Sequence, residues 1–353
     1  GPARVIGSAG TGKTVVALHR AARLVANSDA KVLLTTFNRK LAENLRQKVP
    51  QVASAEAMSR IVVEALPVLI SRIHRETFGD TEIFDETSLR HFLVEAAAER
   101  GMQVDPDFLF DEWLLVVDAW DIRTQEAYRD LPRLGRKVRM VASRRDALWQ
   151  VFEAVHERLI REGMKTEAQL AHELSEVGQL PFDHVLVDEA QDISVAELKL
   201  LGRHLGDKPN GLFFAGDIGQ RIFRAPFPWT VAGIELRGRS RSLKVNYRTS
   251  HQIRCQSDRL LPETLVEADG NEDTRTGVTS VFDGPLPTFR AFADPAFELE
   301  ALLKWVRARL SDDGVPATEL AVLLRNVNDV ERYSEALAVE QVPVMLMHDA
   351  KGA

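Results

Sequence analysis

The sequence predicts an α/β protein built on parallel sheets, and three observations carry that reading. The strand seed Arg4 to Ile6 runs into the glycine-rich GSAGTGKT and on into a helical pattern. The same strand-then-helix order repeats at once in KVLLTTF and RKLAENLRQKV, as a parallel sheet with right-handed crossovers requires. FDHVLVDEA and GLFFAGD are near-continuous apolar runs that each end on an acid, as buried parallel strands do at a ligand edge.

The first helix is read from TVVALHRAARLVA, with apolar residues at helical spacing through Val15, Val16, Leu18, Ala22 and Val25, and Asn27, Ser28 and Asp29 supply the following turn. From about Ala53 to Gly178 strand signals are few. Helical periodicities such as SLRHFLVEAAAERG and ALWQVFEAVHERLIREG are punctuated there by Gly101, Gly135, Gly163, Pro106 and Pro132. Because strands resume directly afterwards, this region reads as a helical insertion into the sheet domain. Beyond Tyr247, EADGNEDTRTG reads as a polar loop. PTFRAFA, the helical FELEALLKWVRARL, the strand ELAVLLRN and the helix DVERYSEALAV then build a second α/β unit.

At 353 residues the chain exceeds what one hydrophobic core usually serves, so two or more domains are expected. Its 45% apolar and 27% charged residues are those of an ordinary globular protein. No apolar run is long enough to cross a bilayer, and no signal peptide opens the chain. The lone Cys255 fits a reducing, cytoplasmic setting. No Cys or His spacing suggests a structural zinc or an iron–sulfur cluster. The net charge of -7 gives no global attraction to nucleic acid, so a polyanion would need a local basic surface. RGRSRSLKVNYR, with Arg237, Arg239, Arg241, Lys244 and Arg248, is one such run.

The phosphate device is complete. Gly7, Ser8, Ala9, Gly10, Thr11, Gly12, Lys13 and Thr14 match G-x-x-x-x-G-K-[ST] between a strand and a helix. The glycines let backbone amides turn inward, and the helix adds unpaired N–H groups and its positive dipole end. Lys13 is placed for the β and γ phosphates of ATP and Thr14 for Mg²⁺. In VLVDEAQD, Asp188 ends the strand as the second metal-side acid, and Glu189 is placed to deprotonate an attacking water.

GSAGTGKT, LLTTFNRKLAENL, VLVDEAQD, FFAGDIGQRIF and LKVNYRT, in that order with a helical region between the second and third, resemble the superfamily 1 helicases of the UvrD/Rep/PcrA type. The resemblance covers nearly the whole chain. It implies two RecA-like P-loop domains: a first motor domain over 1–52 and 179–242, an accessory helical insertion over 53–178, and an incomplete second motor domain over 243–353. ATP would lie between the motor domains and drive single-stranded DNA across them 3′ to 5′.

The resemblance also assigns residues. Phe37 and Asn38 match the motif that meets the DNA strand, where a ring stacks on a base. Gln191 matches the glutamine of DExQD and Gln220 the residue that senses the γ phosphate; Tyr247 matches the ring on the adenine and Arg248 the arginine that reaches the γ phosphate. Departures are Gly219, where the family's GDxDQSIYRW has a second acid, and Ala225 in place of its DNA-stacking tryptophan. Phe227 or Trp229 takes over that stacking, or both pack the hinge. HDAKGA, with His348 as a DNA contact, resembles the start of HSAKGLE, and the chain reads as a fragment. Two other functions fit parts of the pattern: a P-loop phosphotransferase or nucleotide kinase, and an ATP-switched DNA-binding module that does not unwind.

Overall fold

The computed structural model describes residues 1–26, 28–133, 140–177, 179–221 and 226–346. β1 (Ala3–Ile6) leads through the glycine-rich loop into α1 (Lys13–Ala26), and β2 (Val32–Thr36) leads into α2 (Arg39–Lys48). One turn, α3 (Ala55–Met58), precedes β3 (Ile61–Ala65) and α4 (Leu66–Phe78). There follow β4 (Glu82–Ile83), α5 (Glu86–Glu99), α6 (Pro106–Glu112), a π-helical turn at Trp113–Asp118, α7 (Gln125–Asp130) and α8 (Ala142–Glu162). The chain returns through β5 (Met164–Lys165), α9 (Glu167–Val177), β6 (His184–Asp188), α10 (Val195–Leu205), β7 (Leu212–Gly216) and β8 (Ser240–Ser242). Last come β9 (Val245–Asn246), α11 (His251–Asp258), β10 (Thr264–Val266), β11 (Glu272–Thr274), β12 (Thr279–Ser280), α12 (Pro295–Ser311) and α13 (Asn328–Val339).

Six strands pair in the order β3-β2-β6-β7-β1-β8, all parallel. Successive side chains of a strand point to opposite faces. Val32 and Leu34 therefore join one core, with Ala17, Leu18 and Val25 of α1 and Leu45 of α2. Leu33, Val185 and Val187 join the other, with Leu66 and Leu69 of α4, Leu174 of α9 and Leu198 of α10. Both faces are covered, which is why these strands are apolar throughout and were legible as buried parallel strands.

The helical region begins later than the sequence suggests. β3 lies within 53–178 yet pairs with β2 from Val32↔Ile61 to Thr36↔Ala65. In sequence, IVVEALPVLI merges this strand with α4, so its boundary is invisible to periodicity. Two flanking helices, α4 and α9, pack in the sheet's own core. Only α5 to α8 build a separate one, around Leu93, Trp113, Tyr128 and Phe152.

The polar stretch expected as a loop supplies the turn and second strand of the antiparallel hairpin β10–β11. Within it Glu267 and Asp273 are buried, at 6% and 4% exposure. Each has a distant partner: Arg4 Nη1 donates to Glu267 Oε2 at 2.6 Å, and Ser242 Oγ donates to Asp273 Oδ1 at 3.2 Å.

The chain divides into two compact units at Pro285 and Leu286, so the segment from Leu243 to Pro285 belongs with the six-stranded sheet. In the second unit α12 and α13 bury Val306, Tyr333 and Leu337. Among the described residues no strand forms in ELAVLLRN, where one was expected. A strand needs a hydrogen-bonded neighbour, and none is present there. No helix among the described residues is long and apolar enough to cross a membrane.

Candidate active site

The C-terminal edge of the sheet gathers the candidate residues. Gly10 and Gly12 adopt φ of 87° and 86°, a region that side chains rarely enter. At Gly10 space forbids a side chain as well, because a Cβ would lie 2.6 Å from Asn246 Oδ1. The loop is stitched to the segment after β8: Tyr247 N donates to Gly10 O at 2.9 Å, and Asn246 Nδ2 donates to Ala9 O at 2.8 Å. Thr11 Oγ1 closes the turn on Ser8 O at 2.8 Å. Lys13 Nζ reaches back across the loop to Gly7 O at 2.9 Å and Ser8 O at 3.1 Å. The ammonium therefore sits at the loop mouth, beside the unpaired N–H groups that open α1.

Asp188 ends β6 opposite this mouth. Its Oδ2 accepts from Thr14 Oγ1 at 2.8 Å, whereas its Oδ1 is buried and has no hydrogen-bond partner. Burial pushes the carboxyl up to about 6, with Glu189 adding to the shift and Thr14 and Lys13 opposing it. Ser8 Oγ is also buried without a partner. Unanswered oxygens beside a phosphate loop fit a hard divalent cation, since Mg²⁺ takes one or two carboxylates and completes its shell with phosphates and water. Among the described residues no group of three or more His, Cys, Asp or Glu side chains is placed to hold a metal ion.

Glu189 holds a left-handed backbone, φ 53°, and Gln191 Nε2 donates to its Oε2 at 2.8 Å. Gln191 Oε1 in turn accepts from Asp217 N at 3.0 Å, joining the ends of β6 and β7. Asp217 Oδ2 accepts from Gln220 Nε2 at 2.9 Å. Burial raises the Asp217 carboxyl, opposed by Lys13 and Arg275. A cleft of about 290 Å³ opens here, lined by Ser8, Ala9, Gln220, Asn246, Asp258 and Arg275 among others.

Thus the structure brings together residues 7–14, Asp188, Glu189, Gln191 and Gln220. Tyr247 and Arg248 are exposed on the stitched segment, the ring at 63%, and the Arg248 guanidinium has no partner among the described residues. Three residues of the site escaped sequence reasoning. Asp217 was visible only as a strand-ending acid; Asn246 precedes a recognised pair and carries no signal alone; Arg275 sits in the stretch read as a loop.

The other candidates lie apart. Asn38 caps α2, its Oδ1 accepting from Leu41 N at 2.8 Å, and Phe37 is half-buried at the end of β2. Phe227 and Trp229 are core residues, 1% and 2% exposed, so the packing alternative describes them and the stacking one does not. Trp229 meets Phe214 edge to face at 4.8 Å, and its Nε1 donates to Glu267 Oε1 at 3.1 Å. Arg237, Arg239 and Arg241 are exposed around β8. His348 and Ala225 lie outside the described residues.

A family model described as the UvrD/REP helicase N-terminal domain matches residues 1–226. The chain is similar to the ATP-dependent DNA helicase UvrD2 of Mycobacterium tuberculosis, 25% identical over 367 residues that cover 96% of this chain and 52% of that protein. It is similar to DNA helicase II of Salmonella typhimurium, 25% identical over 377 residues, 96% of this chain and 48% of that protein. DNA helicase IV of Escherichia coli is 24% identical over 269 residues, 62% of this chain and 38% of that protein. The chain therefore spans about half the length, or less, of these curated relatives.

Proposed function

The chain belongs to the UvrD/REP helicase family, and from that membership we propose that it is the motor core of an ATP-dependent DNA helicase or translocase. It couples hydrolysis of Mg-ATP to 3′ to 5′ movement along single-stranded DNA. The observation that carries this reading is Asp188, bonded to Thr14 of the phosphate loop by one oxygen and left with its other oxygen buried and unanswered. In this reading the first motor domain is built on residues 1–52 and 179–242, with β3, α4 and α9 packed into it, the accessory insertion is the α5 to α8 part of 53–178, and the second motor domain lies within 243–353.

Each residue then has a task. The loop amides and Lys13 take up phosphate charge, and the oxygens of Thr14 and Asp188 hold Mg²⁺, which when bound supplies positive charge against the β and γ phosphates. Glu189, steadied by Gln191, accepts the proton of the attacking water. Gln220 reports on the γ phosphate, and Arg248 follows the charge that develops there. Tyr247 offers its exposed ring to adenine, while Phe37 and Asn38 meet the DNA strand.

The test is ATP hydrolysis by this chain with and without single-stranded DNA, beside Lys13→Ala. Hydrolysis should rise with DNA and fall roughly 10³-fold in the variant, with helical content unchanged. Hydrolysis indifferent to DNA would favour a P-loop phosphotransferase. ATP-gated DNA binding without strand separation would favour a switch module.

A further inference from the structure

The loop that follows β7 is held by a residue far along the chain. Asp217 is only 1% exposed, and both its oxygens are engaged. Oδ1 accepts from Gly219 N at 2.9 Å and from Arg275 Nη2 at 3.3 Å; Oδ2 accepts from Gln220 Nε2 at 2.9 Å. Arg275 follows β11 and turns Nη1 to Asp258 Oδ1 at 2.9 Å, while Arg254 Nη1 donates to Asp258 Oδ2 at 2.7 Å. One guanidinium thus spans two carboxylates from different elements. A planar fork of donors suits this, whereas the ammonium of lysine is a point charge without the fixed geometry to hold both.

Gly219 is shaped around that fork. A Cβ there would overlap Arg275 Nη2 and lie 2.9 Å from Leu261 Cδ1 and 3.2 Å from Leu265 Cδ1. Its backbone is outside the left-handed region, so space and not conformation excludes a side chain. An arginine tip usually yields to such a contact, but this one is tethered at both ends. It would have to leave Asp217 to make room.

We infer that Arg275 is a positioning residue for Gln220, acting through Asp217, and that Gly219 is the space this arrangement requires. With Asp217 held by the guanidinium, its Oδ2 binds the amide nitrogen of Gln220 and leaves the amide oxygen as the group that Gln220 offers beside Ser8 and Ala9 in the cleft. The inference rests on the ATP-hydrolase reading of this site and adds to it Arg275, a residue outside the motifs that suggested it.

The test compares ATP turnover by the chain and by Arg275→Ala, Arg275→Lys, Gly219→Ala and the double variant Gly219→Ala/Arg275→Ala, each melted beforehand by circular dichroism. Arg275→Ala should lower kcat roughly 10- to 100-fold while KM for ATP stays within about 2-fold, because orientation is lost and binding is not. Arg275→Lys should recover part of kcat. Gly219→Ala should lower kcat comparably when Arg275 is present and add nothing when it is absent, the non-additivity of two changes acting on one contact. Wild-type kcat in Arg275→Ala, additive losses in the double variant, or kcat and KM falling with the melting temperature would each overturn the inference. Should Arg275→Ala not fold, Arg275→Lys with and without Gly219→Ala makes the same comparison. A wild-type chain that neither binds nor hydrolyses ATP removes the reading of the site and this inference with it; a chain that hydrolyses ATP and ignores Arg275 removes the inference alone.

Discussion

The sheet edge and the helical lobe each bury an aspartate, and they use it in opposite ways. Asp118 closes the π-helical turn at 4% exposure, and burial pushes its carboxyl up to about 7. Thr166 Oγ1 donates to its Oδ1 at 2.6 Å, and it leaves no buried oxygen without a partner. Asp188 is as deeply buried, at 5%, and is also pushed up and also bonded to a threonine. Its threonine, however, belongs to the phosphate loop, and its second oxygen is unanswered. Burial with a raised carboxyl therefore does not mark a working acid. What sets Asp188 apart is its bond to the phosphate loop together with an unmet buried oxygen.

Substituting both aspartates tests that contrast most strongly. Asp188→Asn should lower ATP turnover roughly 10³-fold without lowering the melting temperature, whereas Asp118→Asn should leave turnover unchanged. Equal losses from both would erase the distinction. Next in size is Trp229→Ala, which should destabilise the protein by about 3–5 kcal/mol in urea unfolding, as expected of a core ring and not of a DNA contact.

Asp118→Asn should in turn show a signature of its own in stability against pH. The folded carboxyl titrates near 7 and the unfolded one near 3.8, so between these values the folded state holds more protons. The associated stability is fully present below the unfolded value and is lost as pH rises through about 7. The variant should therefore gain up to about 4 kcal/mol over the parent at pH 8, a gap that closes at pH 4. A gap independent of pH would mean that Asp118 is charged throughout. The smallest effect concerns the DNA strand: Phe37→Ala should weaken single-strand affinity by about 1–3 kcal/mol and leave ATP affinity alone. Matching losses in DNA affinity, ATP affinity and melting temperature would make Phe37 a packing residue.

How much was legible follows the range of the interactions. The glycine loop, β1, β2, β6 and β7 rest on local pattern, and local pattern found them. The polar stretch EADGNEDTRTG did not yield, because Glu267 and Asp273 look like solvent-facing acids until Arg4 and Ser242 are brought to them from distant strands. Arg275 is hidden for the same reason: its partners Asp217 and Asp258 belong to other elements. Composition could not separate the two roles weighed for Phe227 and Trp229, since a stacking ring and a core ring are the same side chain. Only Phe214 and Glu267, at contact distance of Trp229, separate them.

The lobe formed by α5 to α8 leaves the sheet and returns to it through a pair of short strands. Its outgoing and returning segments, β4 and β5, run side by side as two-residue strands, paired Glu82↔Met164 and Ile83↔Lys165. Just below, Glu173 of α9 accepts from Lys165 Nζ at 2.6 Å and lies 2.7 Å from His74 Nε2 of α4, so the two flanking helices are clasped where the lobe departs. Beyond the clasp the lobe has its own core, joined to the sheet's at Trp120, which packs against both and whose carbonyl accepts from Lys199 Nζ of α10 at 3.4 Å. A change of length within the lobe that spares the β4–β5 pair and Trp120 should therefore leave the phosphate edge in place.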